Sequence, residues 1–360
     1  MTTILHVVGA RPNYMKAAPV WRALQQNPGM KQILIHTGQH YSPNMSDIFF
    51  AQLGLPAPDY FLGVGSGTHA TQTAQVMIHC DRILSEVRPD RVLVYGDVNS
   101  TLGAALVCSK LGIPVAHVEA GCRSFDRTMP EELNRVLVDQ MSDLLFTPAA
   151  ECAENLAREG ISGSHVQFVG NVMIDTLIRL LPFATHSPSI SLPPKYALVT
   201  LHRPSNVDNV EVLERLMAVL RHVSSRLPVI FPIHPRTRSR VTQLGLVRLP
   251  DTRFSMIEPL GYLEFLALER DAAVVVTDSG GVQEETTYLN VPCLTMRANT
   301  ERPITVTIGT NTLIGGDPSQ LEAEIERVLQ GRAKLGKCPP LWDGDSSVRI
   351  ARRLAAEAAL

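Results

Sequence analysis

The chain has 360 residues, 45% hydrophobic and 19% charged, with a net charge of -2. That suits a soluble protein of two domains with large cores and leaves no basic footprint for nucleic acid. No stretch reaches the roughly 18 apolar residues that span a membrane, and the start, MTTILHVVGARPNYMK, is not a secretion signal. Six scattered cysteines, without a CxxC pair or a zinc spacing, read as free thiols in a reducing compartment, the cytoplasm.

Short apolar runs alternate with helical patterns along the chain. Ile4–Gly9 reads as a strand and Lys16–Gln26 as a helix, followed by a strand at Gln32–Thr37. Arg91–Gly96 is a strand leading to the helix Thr101–Leu111, and Pro114–Val118 is a strand leading to the helix Glu131–Met141. Strands at Asp143–Thr147 and Val166–Val169 continue the series. Runs of Val, Ile and Leu without polar alternation suit parallel strands covered on both faces, and the alternation of strand and helix predicts a doubly wound α/β domain.

After Leu181 the Pro- and Ser-rich stretch PFATHSPSISLPPK interrupts the pattern. The alternation restarts with strands at Ala197–Leu201, Pro228–Pro232, Phe254–Ile257, Ala273–Thr277 and Pro292–Met296. Helices are predicted at Val210–Arg226, Tyr262–Glu269, Gly281–Leu289 and Asp317–Leu329. The basic run Arg236–Arg240 reads as a solvated helix face. The amphipathic Ser346–Leu360 is predicted to return to the first domain. The expected division is therefore 1–172 with 346–360, and 173–345. Ligands of such sheets bind beyond the carboxyl ends of the strands, so polar residues there are the first candidates.

Gly9 to Lys16 follows the first strand, and Arg11 and Lys16 are cations able to meet phosphate at a helix N-terminus, or simply solvated charges on a turn. Asp97 ends the strand RVLVYG, where an aspartate also serves as a helix cap. Glu119 follows an apolar strand, where burial requires a partner such as Arg123. Glu131 and Glu132 follow Pro130 at a helix start, an ordinary place for acids. Together, Asp97, Glu119 and Glu131 are expected to converge on one patch, and clustered carboxylates supply both an acid and a base near neutral pH. No metal-binding histidine pattern accompanies them. In the second half, Ser279-Gly280-Gly281 after a buried strand forms an anion site at a helix start, with Glu285 one turn on to accept ribose hydroxyls. His202-Arg203 and His234 end strands, and Arg302 lies in TERP.

The motifs GARPNYMKAAP, TGQHY, GDVNSTL, HVEAG, MPEELNR, VTLHRPSN, TDSGGVQEE and TERP occur in the order found in the non-hydrolysing UDP-N-acetylglucosamine 2-epimerases. The chain resembles that family from residue 9 to residue 303. The resemblance implies the GT-B architecture, two Rossmann-like domains with the site between them. It implies epimerisation at carbon 2 by loss and re-addition of UDP through 2-acetamidoglucal, with no cofactor or metal, in a homodimer. By matching motifs it makes Asp97, Glu119 and Glu131 the acid/base carboxylates, with their individual roles open, and puts His202 at the reacting centre or the diphosphate. Arg11 and Lys16 approach the phosphates, Ser279, Gly280 and Gly281 hold the diphosphate, Glu285 holds the ribose and Phe265 lies near the uracil. Gln39, His40, Arg203, His234 and Arg302 complete the binding set.

Two departures bear on regulation and substrate. The family's HRREN is His202-Arg203-Pro204-Ser205-Asn206 here, and the acid often found after TERP is Ile304. Many bacterial members are activated by a second UDP-N-acetylglucosamine, held by the QHR and HRREN motifs. Here Tyr41 and Ser42 follow Gln39-His40, so obligatory activation is not expected. The rival readings are a 2-epimerase for a diacetamido-uronic acid nucleotide and a GT-B glycosyltransferase.

Overall fold

In this computed structural model every strand pairing among the described residues is parallel. The residues described are 1–39, 50, 52–188, 190–246 and 253–358. The chain divides into two units, Met1–Thr176 with Pro340–Leu360, and Leu177–Pro339.

The first unit holds β1 (Thr2–Val8), β2 (Met30–His36), β3 (Tyr60–Phe61), β4 (Arg91–Tyr95), β5 (Val115–Val118), β6 (Leu144–Thr147) and β7 (Val166–Phe168). Their spatial order is β3-β2-β1-β4-β5-β6-β7. The second holds β8 (Ala197–Thr200), β9 (Val229–Pro232), β10 (Phe254–Ile257), β11 (Val274–Thr277), β12 (Cys293–Thr295) and β13 (Asn311–Leu313), in the order β10-β9-β8-β11-β12-β13. Both are doubly wound Rossmann-like sheets, as the alternation predicts. Each reverses direction once, between β1 and β4 and between β8 and β11. Such switch points leave a crevice at the strand ends where ligands settle.

The physical cause of the strands is visible in β4 and β11. Val92, Leu93, Val94 and Tyr95, and Val274, Val275 and Val276, are fully buried. Side chains of both parities are covered because helices lie on both faces. Burying each stabilises by roughly 1.5–3 kcal/mol relative to exposure.

The first helix, Arg11–Leu24, begins five residues earlier than the hydrophobic spacing predicts. Pro12 sits in its first turn, where the missing N–H costs nothing. Asn13 Oδ1 accepts from the Gly9 and Ala10 amides at 3.0 and 3.1 Å, and its amide nitrogen donates to Tyr95 O at 2.7 Å. That one side chain ties the helix start across the β1/β4 switch point.

The helix His69–Val87 carries only a weak amphipathic signal. Its buried stripe is Gln72, Val76, Cys80 and Leu84, at a spacing of four, and half of it is not strongly apolar. Thr68 caps the helix by accepting from the Thr71 amide at 3.2 Å.

The C-terminal helix Ser346–Ala358 packs on Arg11–Leu24 within the first unit. Asp175 caps it, accepting from the amides of Ser346 and Ser347 at 3.2 and 2.7 Å. Trp342 is buried and donates to Pro148 O at 3.1 Å. Gly170, at φ +90°, lets that returning segment through: a Cβ there would lie 2.0 Å from Leu341 O.

Candidate active site

In the first unit the candidate residues follow β4 and β5, which pair side by side with Tyr95 opposite Val118. Gly96 comes next, at φ +61°, and its amide donates to Val118 O at 3.0 Å. A Cβ on Gly96 would lie 2.5 Å from Lys16 Nζ and 3.7 Å from Glu119 Oε1. Glycine is required there by conformation and by space.

Lys16 Nζ donates to Glu119 Oε1 at 2.7 Å, and both side chains are about 95% buried (4% and 5% exposed). The glutamate backbone is itself unusual, with φ +75°. A non-glycine residue held there costs of order 1–3 kcal/mol. The surroundings fix it: the amides of Glu119 and Ala120 both donate to Phe146 O, at 3.1 and 3.0 Å. Lys16 thus sits against a carboxylate, where the sequence offered it a phosphate or solvent. Arg11, the first residue of the helix, is exposed.

The expected Arg123–Glu119 pair does not form. Arg123 binds Asp139 at 2.7 Å and Glu159 at 2.6 Å. Glu119 is taken by Lys16 instead, and Gly121, at φ +77°, passes close to the next segment: a Cβ there would lie 2.3 Å from Cys152 O. Asp139 also faces His117 Nδ1 at 2.7 Å, while His117 Nε2 faces the Gly96 carbonyl at 2.9 Å. Burial would raise the Asp139 pKa, but His117 and Arg123 outweigh it and hold this carboxylate below its usual range. This buried chain fixes the backbone on which Asp97 and Glu119 stand.

Asp97 pairs with the Arg135 guanidinium, and Asn134 donates to the Asp97 carbonyl at 2.8 Å. Arg135 also holds Glu132 at 2.7 Å. Glu132 is buried and accepts from the amides of Ser124 and Phe125, both at 2.9 Å. Burial pushes its pKa up, yet the Ser124 amide and Arg135 outweigh that and keep it low. The two acids of the helix Pro130–Met141 therefore differ in role: Glu132 is structural, and Glu131 is half-buried at the surface of a cavity.

That cavity, of about 240 Å³, is lined by both Asp97 and Glu131, with Gln39, His69, Gln72, Asn99 and Asn134 among its polar walls. The structure thus brings Asp97 and Glu131 together. Glu119 is not among the lining residues and stands behind Gly96. Gln39 is held from within, its Oε1 accepting from the Ser100 amide and hydroxyl at 3.0 and 2.7 Å. His40, with Tyr41 and Ser42, lies outside the described residues.

In the second unit the switch point is spanned by Asp278, which is fully buried. It accepts from the amides of His202 and Arg203 at 3.0 and 2.9 Å and from Asn206 at 3.0 Å. Its Oδ1 lies 2.9 Å from His202 Nδ1. Burial alone would raise its pKa; His202, Asn206 and Arg203 together bring it below the usual range. An ionised Asp278 fixes the proton of His202 on Nδ1, leaves Nε2 available and sets the ring plane. Sequence reasoning passed over Asp278, although it stands in TDSGG at the end of a buried strand. His234, 5.8 Å from His202 between ring centres, caps its own helix by accepting from the Arg236 amide at 3.2 Å. Burial first, then the charges of His202 and Arg236, lower its pKa.

Ser279 precedes the helix Gly280–Leu289, so the amides of its first turn have no partner within the helix. A Cβ at Gly280 would lie 2.8 Å from Arg302 Nη1. Arg302 is nearly buried and engaged, with Glu284 at 2.8 Å and Glu301 at 2.6 Å. Gly281 follows, half-buried, in the same turn. Glu285 is buried one turn further and accepts from the Tyr262 hydroxyl at 2.7 Å. Phe265 is half-buried against the apolar cluster of Leu198, Ile230 and Leu268.

The family model for UDP-N-acetylglucosamine 2-epimerase matches residues 22–355. A UDP-N-acetylglucosamine 2-epimerase of Methanococcus maripaludis is 44% identical, with 94% of each chain covered. A UDP-2,3-diacetamido-2,3-dideoxy-D-glucuronate 2-epimerase of Pseudomonas aeruginosa is 41% identical, covering 98% of this chain and 99% of that one. The crystal structure of the Methanocaldococcus jannaschii UDP-GlcNAc 2-epimerase, in complex with UDP-GlcNAc and UDP, has a TM-score of 0.91 at 43% identity, over 99% of this chain and 100% of that one. With the two switch-point sites described above, these matches place the chain in the UDP-N-acetylglucosamine 2-epimerase family.

Proposed function

We propose that this protein reversibly epimerises carbon 2 of UDP-N-acetylglucosamine to give UDP-N-acetylmannosamine. The observation that carries the reading is the set of three carboxylates in unlike surroundings. Glu119 is fixed by Lys16, Asp97 by Arg135, and Glu131 lines the cavity beside Asp97. Inversion needs a base on one face of the sugar and an acid on the other, so carboxylates in unlike surroundings fit it.

In the forward direction a carboxylate takes the proton from carbon 2 as the carbon 1–oxygen bond breaks. The electron pair of the carbon 2–hydrogen bond forms the double bond of 2-acetamidoglucal, and UDP leaves with the pair of the broken carbon 1–oxygen bond. Re-addition of UDP to carbon 1, with a proton delivered to carbon 2 from the opposite face, completes the inversion. The proton on carbon 2 is only weakly acidic, so the leaving diphosphate must carry much of the stabilisation. We assign that work to His202, oriented by Asp278, and to the amides of Ser279, Gly280 and Gly281. Arg11 and Arg203 assist at the phosphates, Glu285 takes the ribose, and Phe265 borders the uracil.

The 41% identity to the Pseudomonas aeruginosa diacetamido-glucuronate enzyme favours a second reading, a 2-epimerase for such a uronic acid nucleotide. Incubation with each nucleotide alone decides between them: we expect UDP-N-acetylmannosamine from UDP-N-acetylglucosamine. Turnover of the diacetamido-uronate nucleotide only would move the chain to that substrate, and reaction only with an added acceptor sugar would make it a transferase.

We further propose a cytoplasmic homodimer serving polysaccharide synthesis. The cytoplasm agrees with the buried free thiols of Cys80, Cys108, Cys122, Cys152 and Cys293. No described helix is long and apolar enough to cross a membrane. Dimerisation is supported by exposed apolar side chains on the first unit, Phe125, Ile78 and Leu137.

A further inference from the structure

The second unit contains a buried acid that the reaction leaves unused. Glu269, in the helix Tyr262–Asp271, is 0% exposed, and neither of its carboxyl oxygens accepts a hydrogen bond from any described residue. An ionised carboxylate there would lose its hydration with nothing in exchange. The helix packs on Gly280–Leu289, which carries the buried Glu285, and the two acids are near enough for the charge of one to bear on the other. Two carboxyl groups in buried contact do not both ionise. Burial first, and the Glu285 charge second, push the Glu269 carboxyl well above the usual range. Two turns earlier on the same helix, Tyr262 donates its hydroxyl to Glu285 Oε1 at 2.7 Å. Cys293, on β12, also feels Glu269 and is itself kept a neutral thiol by burial.

We propose that Glu269 is a positioning residue: a protonated carboxylic acid whose hydroxyl donates to Glu285. Glu285 is then oriented by two neutral donors, Tyr262 and Glu269, and keeps its full negative charge. A lysine or arginine in place of Glu269 would orient the carboxylate but neutralise it. An oriented, charged carboxylate is the best acceptor for the two vicinal hydroxyls of a ribose. The inference rests on the reading of Glu285 as the ribose-binding acid, and the test separates the two.

The test compares wild type, Glu269→Gln and Glu269→Leu. Binding of UDP and of 2′-deoxy-UDP is measured by calorimetry on each, with thermal melts to verify folding. Wild type should prefer UDP. Glu269→Gln keeps a neutral donor and should retain that preference within about twofold, whereas Glu269→Leu should lose about tenfold in UDP affinity, one charge-assisted hydrogen bond, and most of the preference. The infrared difference between wild type and Glu269→Gln at pH 8 should show a protonated-carboxyl band that shifts in deuterated water. This band does not depend on the leucine variant folding. Absence of the band, a leucine variant that keeps its preference, or a glutamine variant that loses it would each overturn the proposal. A wild type that binds both nucleotides equally would instead remove the ribose reading of Glu285, and the positioning role with it.

Discussion

Lys16 and Glu119 form a buried ion pair, Nζ to Oε1 at 2.7 Å, across the strand ends that also carry Asp97. Glu119 is therefore both a candidate for proton transfer and one half of a charged pair in the core. Glu119→Gln leaves an ammonium buried without its counter-charge, a loss of roughly 3–5 kcal/mol. Lys16→Met should cost a similar amount. The double variant should recover much of that stability and none of the activity. Chemical denaturation of all four proteins checks this; additive losses would mean that the pair contributes nothing to the fold.

Asp97→Asn and Glu131→Gln should each reduce turnover at least about 100-fold, the usual scale for losing acid/base help. Their stabilities should differ. Asp97→Asn also releases Arg135, whereas Glu131 is half-buried at the cavity and Glu131→Gln should melt near wild type. An active Glu131→Gln would return that residue to an ordinary helix-start acid.

Two buried acids of the second unit should bend stability with pH in opposite directions. Asp278 has a lowered folded pKa. Its contribution is present above the unfolded value of about 3.9 and is lost as pH falls below it. Asp278→Asn should flatten the fall in stability between pH 4 and more acid conditions. Glu269 has a raised folded pKa. Its contribution is full below the unfolded value of about 4.3 and declines as pH rises. Glu269→Gln should therefore gain on wild type as pH rises from 4 to 8. Urea denaturation across that range measures both, and parallel stability profiles for wild type and both variants would contradict them.

Arg302 illustrates a binding candidate with a structural duty. Its partners Glu284 and Glu301 are buried, so Arg302→Ala should destabilise by roughly 3–5 kcal/mol as well as weaken UDP binding. Glu285→Ala should weaken UDP binding with less loss of stability. Calorimetry with UDP beside thermal melts distinguishes the two. Equal, unchanged UDP affinity in both would remove the nucleotide from this unit.

Regulation by a second substrate molecule should be absent or slight. Pro204 and Ser205 stand where the family has a cation and an acid, and each lost charge-assisted bond costs roughly 1.5–3 kcal/mol. Coupling between sites is typically only about 1–3 kcal/mol. Pure UDP-N-acetylmannosamine should therefore react without a lag. A reaction silent until a trace of UDP-N-acetylglucosamine is added would show that coupling survives.

Much of this was legible in the chain. Both sheets were readable because parallel strands covered on two faces leave unbroken Val, Ile and Leu runs. Asp97, Glu119 and His202 stand out as candidates because a polar residue ending such a run is costly without a partner. What escaped notice depended on partners distant in sequence. Glu119 pairs with Lys16, 103 residues away, and not with nearby Arg123, which is taken up by Asp139 and Glu159. Asp278 orients His202 across the switch point, 76 residues apart, and no local spacing encodes that. The helix His69–Val87 was hidden because its buried stripe includes a glutamine.

Proton NMR of the purified protein with UDP-N-acetylglucosamine in deuterated water follows the hydrogen on carbon 2 through turnover. Removal of the carbon 2 proton and its return from solvent predict deuterium at carbon 2 of both epimers during turnover. Epimerisation with the original hydrogen retained at carbon 2 would contradict the elimination mechanism and the role given to the three carboxylates.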